Sequence, residues 1–365
     1  MDKLAKTFDP AHIFRLTDDT GMFQHARFSV PDPAEGYTTD DNARALLMAV
    51  MLYEHFRKPA YLALVYLYLG FVLYSQNETG KFRNFMTYSR QFIEKEGSED
   101  CFGRCLWALG YTLTSPIMPP GIKEACLYAY RRAIQHIQDL TWPRGQAYAM
   151  IGLSFIGNFE ADCLLSGLAA KLVSRFEQYA GEKDWQWFED NLTYDNAVLP
   201  WALFTAYRRL GQDKLLCVAL ESLEFLDRIT FHDSCYRPVG CNGWLVRGAE
   251  AALYDEQPIE ACTSTLSHLA AYAATGNETM LELARLSFTW YLGQNSCREC
   301  LIDDETRGCY DGITPDGLNK NQGAESIISY CIAYLSVVKY EAVEKCQQCS
   351  APAGKTDNNG IQLIH

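Results

Sequence analysis

An all-α chain folded as a closed ring of six helical hairpins is predicted by three observations. Helical periodicity dominates, and alternating strand patterns are short and few. One local pattern, a polar or acidic loop followed by a helix rich in small and apolar residues, recurs six times at a spacing of roughly 50 residues, as internal repeats do. Helices with charges along one side lie between the six, as an outer layer would.

Taken in order, the first repeat is GYTTDDNARALLMAV from Gly36, with Asp40 and Asp41 directly before its helix. Pro59 to Asn77, PAYLALVYLYLGFVLYSQN, carries no charge and approaches the length of a spanning helix. Its tyrosines are distributed along it instead of gathering at the ends, so a buried helix of a soluble protein is expected. Lys81 to Ile93, KFRNFMTYSRQFI, is the clearest extended stretch, a hairpin or an irregular excursion. The second and third repeats are GSEDCFGRCLWALGYTL from Gly97 and TWPRGQAYAMIGLSFIG from Thr141. WFEDNLTYDNAVLPWALFTAY from Trp187, YDEQPIEACTSTLSHLAAYAATG from Tyr254 and LNKNQGAESIISYCIAYLSVV from Leu318 complete the set. Their starts carry Asp, Asn, Pro or acidic first-turn residues, as helix beginnings do. Lys123 to Gln138, Asp162 to Tyr179, Asp213 to Arg228 and Glu278 to Leu292 supply the charged helices between them.

Six helix pairs suit a closed ring better than an open solenoid. In a ring the inner helices run parallel, their N-termini open at one end, and the loops before them form one mouth of positive dipole potential. A single barrel domain over 1–345, followed by a flexible tail over 346–365, is the expected organisation.

The net charge of −13 and a pI near 5 argue against nucleic acid, which needs clustered Lys and Arg. The fourteen cysteines are scattered through helical stretches, as at Cys105, Cys126, Cys217 and Cys331, and read as mostly free, buried thiols. The start MDKLAKTFDPAHIF has no apolar core after its charges, so no secretory signal is read there, and a cytoplasmic protein without membrane insertion is expected.

The segments TDDTGMFQHARFSVPDPAEGYTTDDNARAL, FRNFMTYSRQFIE, GSEDCFGRCLWALG, WFEDNLTYDNAVLP and GCYDGITPDGLNKNQGAES resemble a bacterial family of six-hairpin glycosidase-like (α/α)6-barrel proteins. That family is little characterised chemically and is associated with glycosyltransferases and mannoside-processing enzymes. The resemblance runs from Thr17 to Leu335, and the cysteine-rich SCRECLIDDETRGCYDG departs from it. It implies an (α/α)6 barrel and a carbohydrate ligand, with mannose-containing oligosaccharides as the sugar class.

Glycosidic cleavage needs two carboxyl groups, one protonated to donate to the leaving oxygen and one ionised to activate water or attack carbon. The candidates for this pair are Asp40, Asp41, Asp190, Asp195, Glu256 and Glu325, with helix capping, first-turn dipole pairing or sugar hydrogen bonding as the alternatives at each. Candidates for sugar binding are Asp18, Asp19, His25, Asp100, Arg104, Trp142, Arg144, Trp187, Tyr194, Asn196, Gln257, Asn321 and Gln322. Among them Trp142, Trp187 and Tyr194 offer stacking faces. Glu260, four residues after Glu256, is read as sharing its face.

Other chemistries find weaker support. Cys297 with Cys300 and Cys346 with Cys349 form two CxxC pairs too far apart for a zinc ribbon, and neither a metal nor another cofactor is expected. AGKT around Lys355 lacks the first glycine of a phosphate loop, its place being taken by Cys349. The leading reading is a glycoside hydrolase, with inversion favoured by analogy to related helical barrels. A sugar epimerase or isomerase is the second class and would need His25 or His268 beside a carboxylate in the pocket; a noncatalytic carbohydrate-binding protein is the third.

Overall fold

The computed structural model describes residues 8–181 and 184–350. Among these residues the chain forms twelve α-helices: α1 Ala11–Arg15, α2 Thr39–Phe56, α3 Pro59–Ser75, α4 Glu99–Thr114, α5 Pro120–Ala133, α6 Pro143–Ile156, α7 Phe159–Tyr179, α8 Val198–Leu210, α9 Asp213–Thr230, α10 Pro258–Thr275, α11 Glu278–Thr289 and α12 Ala324–Ser350. Successive even-numbered helices pack side by side from α2 to α12, and α12 returns to α2, which closes an inner ring. The odd-numbered helices α3 to α11 lie outside their partners. Beside α12, the short α1 and Phe8 complete the outer layer, with the Phe8 ring stacked on Phe56 and Tyr334. The structure is thus the (α/α)6 barrel expected, with each of the six repeats an inner helix.

Inner helices are buried nearly all round, which their small and apolar composition permits. Over α2 every residue from Asp41 to Leu52 is buried. Each of its fully buried large side chains, such as Leu46 and Val50 at 0% exposure, contributes roughly 1.5–3 kcal/mol. The pairing of α4 with α6 depends on missing side chains: a Cβ on Gly110 would lie 2.4 Å from the Gly152 carbonyl oxygen, and one on Gly152 2.5 Å from that of Leu106. The glycines of the WALG and AMIG segments are there to let two backbones touch.

Connections differ sharply between the two ends. From inner to outer helix the chain turns in two residues at Arg57–Lys58, Gly157–Asn158, Gly211–Gln212 and Gly276–Asn277, each with a left-handed first residue (φ 56°, 66°, 68° and 69°), while α4 passes to α5 through the longer 115–119. From outer to inner it runs through 16–38, 76–98, 180–197, 231–257 and 293–323, which together with the short 140–142 form the mouth. All five two-stranded β pairings sit in these long segments. Within the 81–93 stretch, Phe85–Met86 pairs with Tyr37–Thr38 just before α2, and bridges join Gln76 to Phe82 and Met86 to Phe92.

The uncharged 59–77 stretch is an outer helix, not a fully buried one: Tyr61 and Tyr68 point inward while Tyr66 and Tyr74 are more than half exposed. Among the described residues no helix is long and apolar enough to cross a membrane. The thiols also divide: Cys101, Cys105, Cys126, Cys262, Cys309 and Cys331 are buried, whereas Cys163, Cys217 and Cys300 are exposed; all are free. Of the tail expected over 346–365, residues 346–350 continue α12, and the rest, with its AGKT, lies outside the described residues.

Candidate active site

The site begins with how α2 starts. Thr38 caps the helix, accepting from the Asp41 N–H at 3.1 Å, and its hydroxyl donates to Asp41 Oδ2 at 2.5 Å. Capping by Thr38 frees Asp40 and Asp41 from that duty. Arg44 lies four and three residues further on, hence on the same helix face as both. Its three guanidinium nitrogens meet three carboxylates: Nε is 3.2 Å from Asp40 Oδ1, Nη2 2.8 Å from Asp41 Oδ1 and Nη1 3.1 Å from Glu325 Oε2. Since Glu325 stands in the first turn of α12, this one side chain ties the last inner helix to the first.

A second arginine extends the network across the ring. From α4, Arg104 reaches Asp40 Oδ2 at 2.5 Å and Asp195 Oδ2 at 3.1 Å. Its guanidinium lies over the Tyr148 ring, centroid 4.8 Å away, and the Tyr148 hydroxyl donates to the same Asp195 oxygen. Asp195 is fully buried and holds a left-handed backbone, φ 51°, uncommon for a residue with a Cβ. Glu260, from α10, accepts from the Asp195 and Asn196 N–H groups and so fixes that conformation. Arg144, at the head of α6, completes the chain by binding Glu189 at 2.8 Å, the Tyr194 carbonyl at 2.5 Å and Asn196 Oδ1 at 3.3 Å. All six inner helices or their entrance loops thereby share one ionic lattice, largely buried and open to solvent at Glu325.

Neighbouring aspartates titrate in opposite directions there. Burial pushes Asp40 up, but Arg104 and Arg44 outweigh it and hold the carboxyl below its ordinary value. Burial also drives Asp41; Arg44 offsets part of the rise, while Asp40 and Glu325 add to it, and the group reaches about 6. Asp100 is raised to about 6 by burial, against Arg104 and Arg144. Burial, and then the charge of Asp195, raise Glu260 to about 8. Environment, not residue type, separates proton donors from ionised groups.

Above this lattice opens a cavity of about 280 Å³, walled by Asp40, Asp41, Arg44 and Glu325 on one side and by His25, Phe85, Gln257 and Asp311 on others. Burial raises Asp311, which accepts from Ser326 at 2.6 Å and the Gly323 N–H at 2.7 Å, and His25 partly offsets the rise. Here the loops before α2, α4, α10 and α12 converge, as the helix pattern requires.

Of the residues singled out in the sequence, the cavity brings together His25, Asp40, Asp41, Gln257 and Glu325. Arg104 and Asp195 lie in the lattice joined to it through Asp40. Others are elsewhere. Glu256 is wholly buried with Trp290 Nε1 at 2.8 Å, the Ser296 hydroxyl and Arg237 at 3.4 Å, and it does not share a face with Glu260, because α10 begins only at Pro258. Trp187 is in the core against Phe188 and Phe225. Asp190 is exposed, 3.6 Å from Arg247. Asp19 pairs with Arg90 at the surface, Asp18 accepts from Tyr37 at 2.6 Å, and Trp142 is 64% exposed. Asn321 holds the Phe28 N–H, and the buried Gln322 bonds Thr306 and Asp303. His268 pairs with Asp227 at 3.1 Å, between α9 and α10 and away from the cavity. Among the described residues no cluster of His, Cys, Asp and Glu has the makings of a metal site.

Sequence reasoning left out Arg44, Tyr148 and Asp311 and placed Glu260 with the wrong neighbour. Arg44 carried a signal: an arginine three and four residues after an Asp-Asp pair at a helix start must face both. Tyr148, in mid-helix, carried none.

No protein-family model and no curated protein sequence matches the chain. Solved structures do. A sugar epimerase from a ruminal bacterium superposes with a TM-score of 0.73 at 14% identity, over 93% of this chain and 98% of its own. The GH76 α-mannanase of Bacteroides thetaiotaomicron gives 0.66 at 11% identity, over 94% and 96%. The GH76A α-1,6-mannanase of a Salegentibacter species gives 0.62 at 11%, over 93% and 97%; that structure is an inactive variant, two consecutive aspartates replaced by alanine, in complex with α-1,6-mannotetrose. At such identities these likenesses establish the six-hairpin glycosidase-like fold and nothing finer.

Proposed function

We propose that the protein is a glycoside hydrolase acting on oligosaccharides, mannose-containing ones foremost, with Asp41 as general acid and Glu325 as general base. The observation that carries this reading is the sharing of Arg44 by two unlike carboxyl groups in one cavity. Asp41 is enclosed and its proton affinity is raised to about 6, while the Glu325 side chain is 39% exposed on the open side. The Asp41 proton passes to the oxygen between two sugars as the bond to the anomeric carbon breaks. Glu325 takes a proton from the water whose oxygen attacks that carbon, and the product inverts. Asp40, kept ionised by Arg104, favours the protonated form of Asp41. The consecutive aspartates missing from the inactive mannanase variant lend support by analogy, since Asp40 and Asp41 are also adjacent and lie in the mouth.

The test is digestion of α- and β-linked mannosides, glucosides and uronides in D₂O, followed by NMR. A new reducing end of inverted anomeric configuration is expected. A second reading, sugar epimerisation, is favoured by one observation: His25 lies in the same cavity as Asp311, close enough to act on its charge. Epimerisation would place deuterium on the carbon beside the carbonyl without shortening the sugar. Neither signal across the panel would remove both readings.

A further inference from the structure

The cavity above the lattice has its cations already engaged. Among the residues that wall it, Arg44 alone carries a guanidinium, and none is a lysine. Each of the three Arg44 nitrogens faces an acid of the chain: Asp40 at 3.2 Å, Asp41 at 2.8 Å and Glu325 at 3.1 Å. An incoming carboxylate or phosphate therefore meets a fork turned to other acids, where such groups are ordinarily gripped by a free one. His25 is the other wall residue able to carry positive charge, and it stands by Asp311, on whose carboxyl it acts.

Helix N-termini are the other holders of anions, since their free N–H groups and dipole favour negative charge. At this mouth those starts are answered from within the chain. Helix α2 has Asp40 and Asp41 in its first turn and the Thr38 hydroxyl on the Asp41 N–H. Helix α12 has Glu325 in its first turn, and Asp311 takes the Gly323 N–H just before it. Helix α10 has Glu260, and α4 has Glu99 and Asp100. What is left uncommitted in the cavity is neutral. Among the described residues the side-chain amides of Gln24 and Gln257 make no hydrogen bond, and the Phe85 ring, 45% exposed, offers an apolar face to the carbon side of a sugar ring.

We infer that the cavity selects its ligand by the sign of charge: it takes uncharged or amine-bearing sugars and refuses sugar acids and phosphosugars, with Glu325 and Asp311 setting the refusal. The inference rests on this cavity being the sugar site and adds the class of sugar, which the fold by itself leaves open. Glu325 acts by occupying Arg44 Nη1, and Asp311 by placing its own charge where His25 is the neighbouring counter-charge. Specificity of this kind is a difference between two affinities, and like charges set against the wrong ligand widen it without new contacts to the right one.

Three forms of α-1,6-mannobiose test this, alike except at the terminal hydroxymethyl group, which is left unmodified, oxidised to a carboxylate or replaced by an aminomethyl group. Their binding to the full-length Asp41→Asn chain, in which cleavage is blocked, is measured by NMR titration at pH 7 and low salt. The carboxylate form is expected to bind about 10-fold or more weakly than the neutral form, and the amine form at least as well as the neutral one. Adding Glu325→Gln, which leaves Arg44 Nη1 without its carboxylate, should close most of that gap, and Asp311→Asn part of it, while binding of the neutral form holds. A carboxylate form bound as tightly as the neutral one would overturn the inference, as would a gap that neither substitution moves. So would an amine form refused as strongly as the carboxylate, since bulk or charge of either sign would then decide. Selective binding of the neutral form without cleavage by the unaltered chain would remove the hydrolase reading and leave this inference standing; no binding of any form would remove both.

Discussion

The two ends of the barrel are built from the same six helices and have opposite chemistry. At the closed end the connections are short, two residues at Arg57–Lys58, Gly157–Asn158, Gly211–Gln212 and Gly276–Asn277 and no longer than 115–119 between α4 and α5. The charges nearby, such as Arg209 with Asp162 at 2.7 Å, are partly exposed. At the mouth the loops are long, and Asp40, Asp41, Arg44, Arg104, Asp195 and Glu260 are shielded from solvent together. Burying a charge costs several kcal/mol unless it is paired and hydrogen bonded, and these six are held by one another and by the Asp195 backbone. The contrast is between an end that joins successive helices by short turns and an end that gathers buried charge, where the proposed chemistry would take place.

Substitutions should break this contrast in order of size. Asp41→Asn and Glu325→Gln, in the mouth, should each lower kcat on a cleaved oligosaccharide by about 10²–10⁴-fold while the melting curve moves little. Arg44→Leu strands three carboxylates at once and should destabilise the protein by about 3–5 kcal/mol in urea unfolding, besides abolishing turnover. A wild-type melting curve for that variant would deny the hub.

The pH dependence sharpens the difference further. In the folded chain Asp41 and Glu260 hold protons more tightly than unfolded carboxyls do, so both contributions to stability are complete below pH 4. They are lost as pH rises, through about 6 for Asp41 and about 8 for Glu260. Glu260→Gln should flatten the upper part of that decline and Asp41→Asn the lower part, both read from unfolding at a series of pH values. Activity should likewise fall above pH 6, as the acid loses its proton. At the closed end effects should be small: Gly276→Ala at φ 69°, in open space, should cost about 1 kcal/mol in thermal unfolding and leave kcat unchanged.

The barrel was legible because its signals are local and repeated. Each inner helix announced itself by a polar entrance and a small-residue body, and closure follows from six of them. The mouth was legible as a place, since parallel inner helices put all their entrances at one end. What spacing does not encode is which acidic residue turns inward. Asp41 and Glu256 both precede or begin an inner helix, yet one faces the cavity and the other is enclosed by Trp290, Ser296 and Arg237, contributed by segments 34 and 40 residues ahead of it and 19 behind. Glu260 was misjudged for the same reason: its partners, the N–H groups of Asp195 and Asn196, lie on another hairpin.

The central claim, that the bond to be cleaved lies between Asp41 and Glu325 above Arg44, is tested most directly by a crystal structure of the Asp41→Asn variant with α-1,6-mannotetraose. The expected result is a sugar chain in the 280 Å³ cavity, with the oxygen between two rings within hydrogen-bond reach of position 41 and a water against Glu325. Sugar bound beside Glu256, or at the closed end of the barrel, would contradict it.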